Sequence, residues 1–554
     1  MALSIPKSGY ARFLKEGAQH FKGAEEAVQR NIEACTELSS QIQSAFGPRG
    51  MNKMIINHIE KLFVTNDAGT ILKELEVQHP AAKMLVMATQ MQEKQIGDGT
   101  NTVVIFGAAL LEHASQLLNM GLSPSEIADG YEKAVDKTLE ILPSLVVKKA
   151  DDLRDVELVQ KYLKSAVMSK QYDNVDFITH LVAKACVQIV PTNTYNFNVD
   201  NIRVCKILGG SVQASKTMNG MVFQRGAEGE IKKVDKARIA VYTCPFDLTQ
   251  TETKGTVLLE SADELLKFSA GEEAEVEVVV KALADNGVNV VVAAGKFGDL
   301  YVHFLNKYKI MGVRLTSKFD LRRLCRTTGA QAQARVEIKN SSLQCVPPRT
   351  SYGECDRVYR DEIGETEVTI FDKLSERGHV ATIVIRGSSQ SRMDDIERAI
   401  DDAINTYKAL TRDCQLLPGA GAVEVELARQ IESFGEKCAG LEQYSIKKFA
   451  HALEALPKQI AENAGLDPTE VLSKIYAAHQ EGQQNAGIDL ISGEVIDVVQ
   501  ENIYDLYSGK KSAIKLAADA AMTILKVDQI IMSKQASGGP AARPPKPTDG
   551  ADEE

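Results

Sequence analysis

The chain has nine cysteines but no Cys-x-x-Cys pair. That spacing gives a zinc or dithiol site little support, and an odd, dispersed set reads as reduced thiols of a cytosolic protein. No apolar run approaches the roughly 20 residues that a membrane-spanning helix needs. The opening residues Met1 to Lys7 contain no signal-peptide core. The expected location is therefore cytoplasmic, with no membrane partner. Basic residues are also in short supply. The 64 Lys and Arg face 75 Asp and Glu, for a net charge of -11, so no nucleic-acid partner is expected. There is no internal repeat, no Walker lysine motif and no kinase signature.

What remains is ordinary globular material: 44% hydrophobic and 25% charged residues. At 554 residues the chain exceeds one core, and two to four domains are expected. The pattern is helical at both ends and β-rich in the middle. Val103 to Leu118 is apolar on nearly every side, which predicts a buried central helix. Val423, Leu427, Ile431 and Phe434 share a helical face, and Ala513 to Leu525 is a third helical pattern. Short β-branched runs at 238–242, 288–292, 366–370 and 382–385 alternate with helical segments. This predicts an α/β domain inserted into a helical one. Gly209-Gly210 marks a hinge, with the return near Gly378 or Gly387. Lys53–Ile56 and Leu62–Thr65 predict a hairpin turning near His58 to Glu60. A lone hairpin is marginal in water, so it needs a partner. The strand-like run Lys526 to Met532 is the expected one, contributed by a neighbouring subunit. The tail from Ser533 reads as disordered.

Ile96-Gly97-Asp98-Gly99-Thr100-Asn101-Thr102-Val103-Val104 carries the clearest chemistry. Glycines let backbone approach a phosphate, and amides at a helix start point at an anion. A carboxylate between them can hold a magnesium ion that phosphate oxygens complete. Phe46-Gly47-Pro48-Arg49-Gly50 and Thr65-Asn66-Asp67 precede it, and together they suggest a nucleotide site. Alone, Gly97-Asp98-Gly99 reads as a turn before it reads as a site, and Asp67 reads as an N-cap for the helix at Ile71-Leu72, a role compatible with one in a site. The run Asp394-Asp395-Ile396-Glu397-Arg398 to Asp402 reads, alone, as a solvated helix face.

In order and spacing, these pieces resemble the group II chaperonins from about residue 10 to 532. His79-Pro80-Ala81-Ala82-Lys83, Ala461-Glu-Asn-Ala-Gly465 and Val527-Asp-Gln-Ile-Ile531 add to the match. Finer similarity to one subunit type of the eukaryotic cytosolic branch lies in segments 9–17, 201–208 and 442–449. The resemblance implies a multidomain α plus α/β fold. A helical equatorial domain would come from both chain ends, 1–150 and 405–532. A small intermediate domain would span 151–215 and 376–404. An inserted α/β apical domain would span 216–375, with a helical lid protrusion at about 247–275, and 533–554 would be a disordered tail.

The resemblance also implies ATP and Mg2+ as cofactors, and ATP hydrolysis coupled to lid closure. Implied partners are paralogous subunits in a hetero-oligomeric double ring of eight-membered rings, and unfolded clients such as cytoskeletal proteins. By motif, Asp98 would hold the metal, and Asp67 and Asp402 would be the catalytic carboxylates. Phe46, Gly47, Gly99, Thr100, Asn101, Thr102, Met168, Ser169, Lys170, Ala420, Gly421 and Asp505 would contact nucleotide. Asp505 would meet the ribose, and Met168-Ser169-Lys170 would sense the γ-phosphate. The helix around Gly298 to Lys307 would meet clients, while Tyr301, Phe304 and Leu305 read equally as core. In the lid, Ser261-Ala-Asp-Glu264 reads as a capping box.

The chain departs from the family where three glycines are usual and it has Gly419-Ala420-Gly421. It departs again at Ala68-Gly69, at Asn101 and at Leu506. These changes motivate a rival expectation, a subunit that binds nucleotide but hydrolyses it poorly.

Overall fold

The computed structural model describes residues 19–20, 24–247, 262–336, 349–373, 380–529 and 531–532. Gly378, the polar lid approach with its Ser261 cap, the tail from Ser533 and the motif at 9–17 lie outside the described residues. The fold is mixed helix and sheet.

One large core gathers helices from both chain ends. At its centre runs the Thr100–Asn119 helix, buried along most of its length as its all-round apolarity predicts. Phe106 on this helix packs edge-on against Phe449, with ring centroids 5.5 Å apart, and Tyr131 meets the same ring at 5.9 Å. Each such aromatic pair contributes about 1 kcal/mol beyond burial. These contacts join segments more than 300 residues apart in sequence. The Tyr507–Leu525 helix packs on the same core and begins earlier than the apolar pattern at Ala513 indicates.

A second core lies between the Val156–Met168, Val175–Ile189 and Gln390–Arg412 helices. Beside it, strands Ile202–Leu208 and Ala381–Gly387 pair in parallel, with Lys216–Asn219 antiparallel on the other edge. The chain therefore leaves and returns side by side. Gly209 N donates to Gly387 O at 2.9 Å, and Gly209 and Gly210 take φ of 91° and 86°, the region glycine tolerates.

Beyond these strands lies a mixed eight-stranded sheet with a core on each face. Its centre is Lys233–Tyr242, parallel to Val290–Ala293 and antiparallel to Gly353–Ile363. The Ala262–Asp285 helix makes the crossover that such parallel pairing requires. On the Asp299–Lys307 helix, Tyr301, Phe304 and Leu305 are all buried, so the core reading holds for all three.

The hairpin pairs Lys53 with Thr65 and Ile56 with Leu62, as the sequence predicts. Met54, Ile56 and Ile59 on it are each more than 60% exposed. The C-terminal strand is shorter than its sequence pattern. Ile531–Met532 pairs antiparallel with Gln19–His20 of the same chain, a partner the sequence reading did not foresee.

Candidate functional site

The Pro80–Gln95 helix ends where the glycine loop begins. Gly97 and Gly99 both have positive φ, 88° and 79°, and Gly99 caps the next helix in the left-handed conformation. A Cβ on Gly97 would lie 2.5 Å from Asn405, so the loop abuts the Gln390–Arg412 helix directly. Gln92 Nε2 braces the loop by donating to Asp98 O at 2.9 Å and to Gly509 O at 3.3 Å. The Asp98 carboxylate accepts from Gly99 N at 2.6 Å.

This loop opens onto a cavity of about 570 Å³. Every nucleotide-contact residue named from the sequence lines it, from Phe46 and Gly47 through Asp98–Thr102 and Met168–Lys170 to Ala420, Gly421 and Asp505. Five separate stretches of sequence thus converge on one space. The apolar wall comes from Leu456, Ile460 and Ile488.

Asp67 and Asp402 are not on the lining but meet there through Lys170. Lys170 Nζ lies 2.7 Å from Asp67 Oδ1 and 3.2 Å from Asp402 Oδ2. Asp67 Oδ1 also accepts from Thr100 Oγ1 at 3.0 Å, and its Oδ2 accepts from Thr70 N at 2.8 Å. It is therefore an N-cap and a site residue at once. Burial works to raise the Asp67 carboxyl, but Lys170 and the Thr70 hydrogen bonds outweigh it and hold it well below the usual carboxylate range. Burial dominates at Asp402, which is pushed well above that range despite Lys170. Burial raises Asp98 too, against the pull of Lys170. Burial opposes the charge on Lys170, yet Asp402 and Asp67 prevail and lift it above the ordinary lysine range.

The acidic helix resolves by face. Asp402 points at Lys170, Asp395 one heptad back is buried and accepts from Gln171, and Asp401 is exposed. Arg398 on this helix donates to Val64 O of the hairpin at 3.4 Å.

Asn101 differs from a purely phosphate-facing residue. Its side chain accepts from Ala68 N at 2.8 Å and donates to Asn66 O at 3.1 Å and Ala45 O at 3.4 Å. It ties three loops together, and its backbone stays in the first turn of the helix. Ala420 takes a left-handed φ of 52°, the strain expected of a methyl group at a glycine position. Its carbonyl accepts from Ile488 N at 3.2 Å, which fixes the turn against the apolar wall.

Sequence reasoning missed Gln92, Glu424 and Lys510. A lysine five residues after Asp505 carries no periodic signal, and most lysines are solvated.

The residues present fit a magnesium nucleotide. The described residues contain no group of three or more metal-ligating side chains, so a cation at Asp98 would be completed by phosphate oxygens. No helix among the described residues is long and apolar enough to cross a membrane.

The model of the TCP-1/cpn60 chaperonin family matches residues 38–535. T-complex protein 1 subunit theta of Caenorhabditis briggsae is 71% identical over 553 residues, covering 100% of both chains. The protein of that name from Caenorhabditis elegans is 70% identical over the same length. The one from Homo sapiens is 56% identical over 553 residues, covering 99% of this chain and 98% of its own. With the motifs converging on one cavity and the match spanning nearly the whole length, the chain belongs to the TCP-1/cpn60 chaperonin family.

Proposed function

We propose that this chain is a theta-type subunit of a cytoplasmic, hetero-oligomeric chaperonin double ring that folds client proteins by hydrolysing Mg-ATP. The observation that carries this reading is the Asp67–Lys170–Asp402 cluster. It brings together residues from three distant segments beside a glycine loop. The first core is the equatorial domain, the second the intermediate domain, and the eight-stranded sheet the apical domain. The Ala262–Asp285 helix leads into the lid.

Phosphoryl transfer to water needs positioning and charge neutralisation more than covalent chemistry. A magnesium ion held by Asp98 supplies part of that neutralisation when bound. The amides of Gly99, Thr100 and Thr102 open the helix and face the phosphates, with Lys170 on the terminal one. Asp402 orients and deprotonates the attacking water. Its raised proton affinity suits a base better than that of Asp67, which stays ionised. A γ-phosphate engaging Lys170 would release Asp402 from its ion pair at the step where a base is needed. The hairpin is the edge on which a neighbouring subunit docks. Its exposed apolar residues and its strand edges, unpaired among the described residues, both require cover.

The strained Ala420 favours one alternative, a subunit that binds nucleotide and hydrolyses it poorly. Single-turnover hydrolysis in rings whose other subunits are silenced separates the two. Turnover that Asp402→Asn abolishes while ATP stays bound supports the hydrolytic reading. Binding without turnover in the unmodified subunit supports the scaffold.

A further inference from the structure

A second lysine, partly buried, lines the same cavity and has no part in the hydrolytic scheme. Lys510 sits at the start of the Tyr507–Leu525 helix, between two carboxylates. Its Nζ lies 3.0 Å from Asp505 Oδ2 and donates to Glu424 Oε1. Asp505 is on the short strand whose backbone pairs it with Leu417, next to the Gly419-Ala420-Gly421 turn. Glu424 follows that turn, in the first turn of the Ala422–Lys437 helix. It is only 3% exposed, and its second oxygen, Oε2, has no hydrogen-bond partner among the described residues. An unpaired buried carboxylate oxygen is costly, so the site calls for a donor.

The charge balance says what kind. Two carboxylates against one ammonium leave the cluster net negative. It would repel a phosphate and accept hydrogen bonds from hydroxyls. Both carboxylates meet the same ammonium through one oxygen each, which leaves one oxygen on each to accept from a hydroxyl. The phosphate loop and Lys170 line the same cavity, and its apolar lining residues Leu456, Ile460 and Ile488 offer a surface for a base.

We propose that Glu424 joins Asp505 in a ribose-diol subsite, with Lys510 as the positioning residue that holds both carboxylates. The resemblance assigns the ribose to Asp505 alone. Glu424 Oε2 and Asp505 Oδ1 would each accept from one of the 2′- and 3′-hydroxyls. This inference rests on the reading of the cavity as a nucleotide site.

The test measures the affinity of the full-length chain for ADP, 2′-deoxy-ADP and 3′-deoxy-ADP by titration calorimetry. A hydrogen bond to a charged group corresponds to about a tenfold change in affinity. The unmodified chain should bind each deoxy form about tenfold more weakly than ADP. Lys510→Met should weaken ADP binding by about tenfold and level the three ligands to within about twofold, while Lys510→Arg keeps the order. Glu424→Gln should lose the preference against one deoxy form only. A Lys510→Met chain that still discriminates as the unmodified one does would overturn the proposal. If that variant fails to fold, unchanged discrimination in Glu424→Gln overturns it instead. An unmodified chain that binds ADP but ignores the missing hydroxyls overturns the subsite and leaves the nucleotide reading standing. One that binds none of the three overturns both.

Discussion

One cavity contains two lysines, each clamped between two carboxylates, yet the two clusters are framed differently. Glu424 and Lys510 ride on helices of the first core, while Asp505 lies on a strand that pairs with Leu417 of that core and packs Tyr504 and Leu506 into the second. Asp67 lies at the edge of the first core. Lys170 and Asp402 follow or sit on helices of the second. No strand pairing joins the members of that cluster among the described residues. Burying such ion pairs is costly and gains little net stability, so the frame decides what each is good for. A cluster whose members are fixed by strand pairing and two helices of one core is preformed and suits affinity. A cluster assembled from two cores without such pairing would form on closure, and would suit chemistry that must be conditional.

The largest effect expected on this account is at Asp402. Asp402→Asn should slow hydrolysis by this subunit about a hundred- to ten-thousandfold and leave ATP affinity nearly unchanged. Single-turnover rates and equilibrium binding on the same ring preparation check both halves. An equal loss of affinity would place Asp402 in binding and erase the contrast.

Next in size is the pH dependence. Asp402 must be ionised to act as base, so activity should fall as pH drops through its raised pKa. The acid limb should lie above the ordinary carboxylate range, because burial favours the protonated form. Lys170 lowers that pKa, so Lys170→Met should move the limb to still higher pH. Rate profiles of the two proteins between about pH 5 and 9 would show the shift, and a rate that stays flat down to the acid end of that range would contradict it.

Much of this was readable in advance, for identifiable reasons. The Thr100–Asn119 helix and the hairpin follow from local patterns, which burial and turn chemistry enforce directly. Each site residue named from motif lines the cavity or meets it through Lys170. The ion pairs themselves were not readable. Pairing Lys170 with Asp402 depends on tertiary packing, and nothing in the spacing of the two residues encodes it. The same holds for Ile531–Met532, whose intrachain partner Gln19–His20 lies at the opposite end of the sequence. Asn101, which lines the cavity as named from motif, also holds three loops in register, a role that only the folded contacts reveal.

Assembly gives a more moderate effect. The exposed hairpin residues predict that Ile56→Asp lowers ring incorporation several-fold while the monomer's melting temperature stays within a few degrees. Size-exclusion profiles of co-expressed rings provide the check. The smallest effect is at Ala420. Ala420→Gly should relieve the left-handed strain and raise stability by up to about 1 kcal/mol, partly offset by glycine's entropy. A lower melting temperature would show that the methyl group packs usefully against Gly487 on the Ala486–Ile488 strand.

The contrast between the two lysines is tested most directly by measuring ADP affinity and single-turnover hydrolysis for Lys170→Met and Lys510→Met side by side, in rings whose other subunits are silenced. ADP lacks the phosphate that Lys170 would meet, so affinity and chemistry separate. The account predicts that Lys170→Met cuts the hydrolysis rate at least about tenfold with ADP affinity unchanged. Lys510→Met should weaken ADP about tenfold with the rate at saturating ATP largely kept. If both substitutions move the same parameter by similar factors, the division between a preformed binding cluster and a conditional catalytic one is wrong.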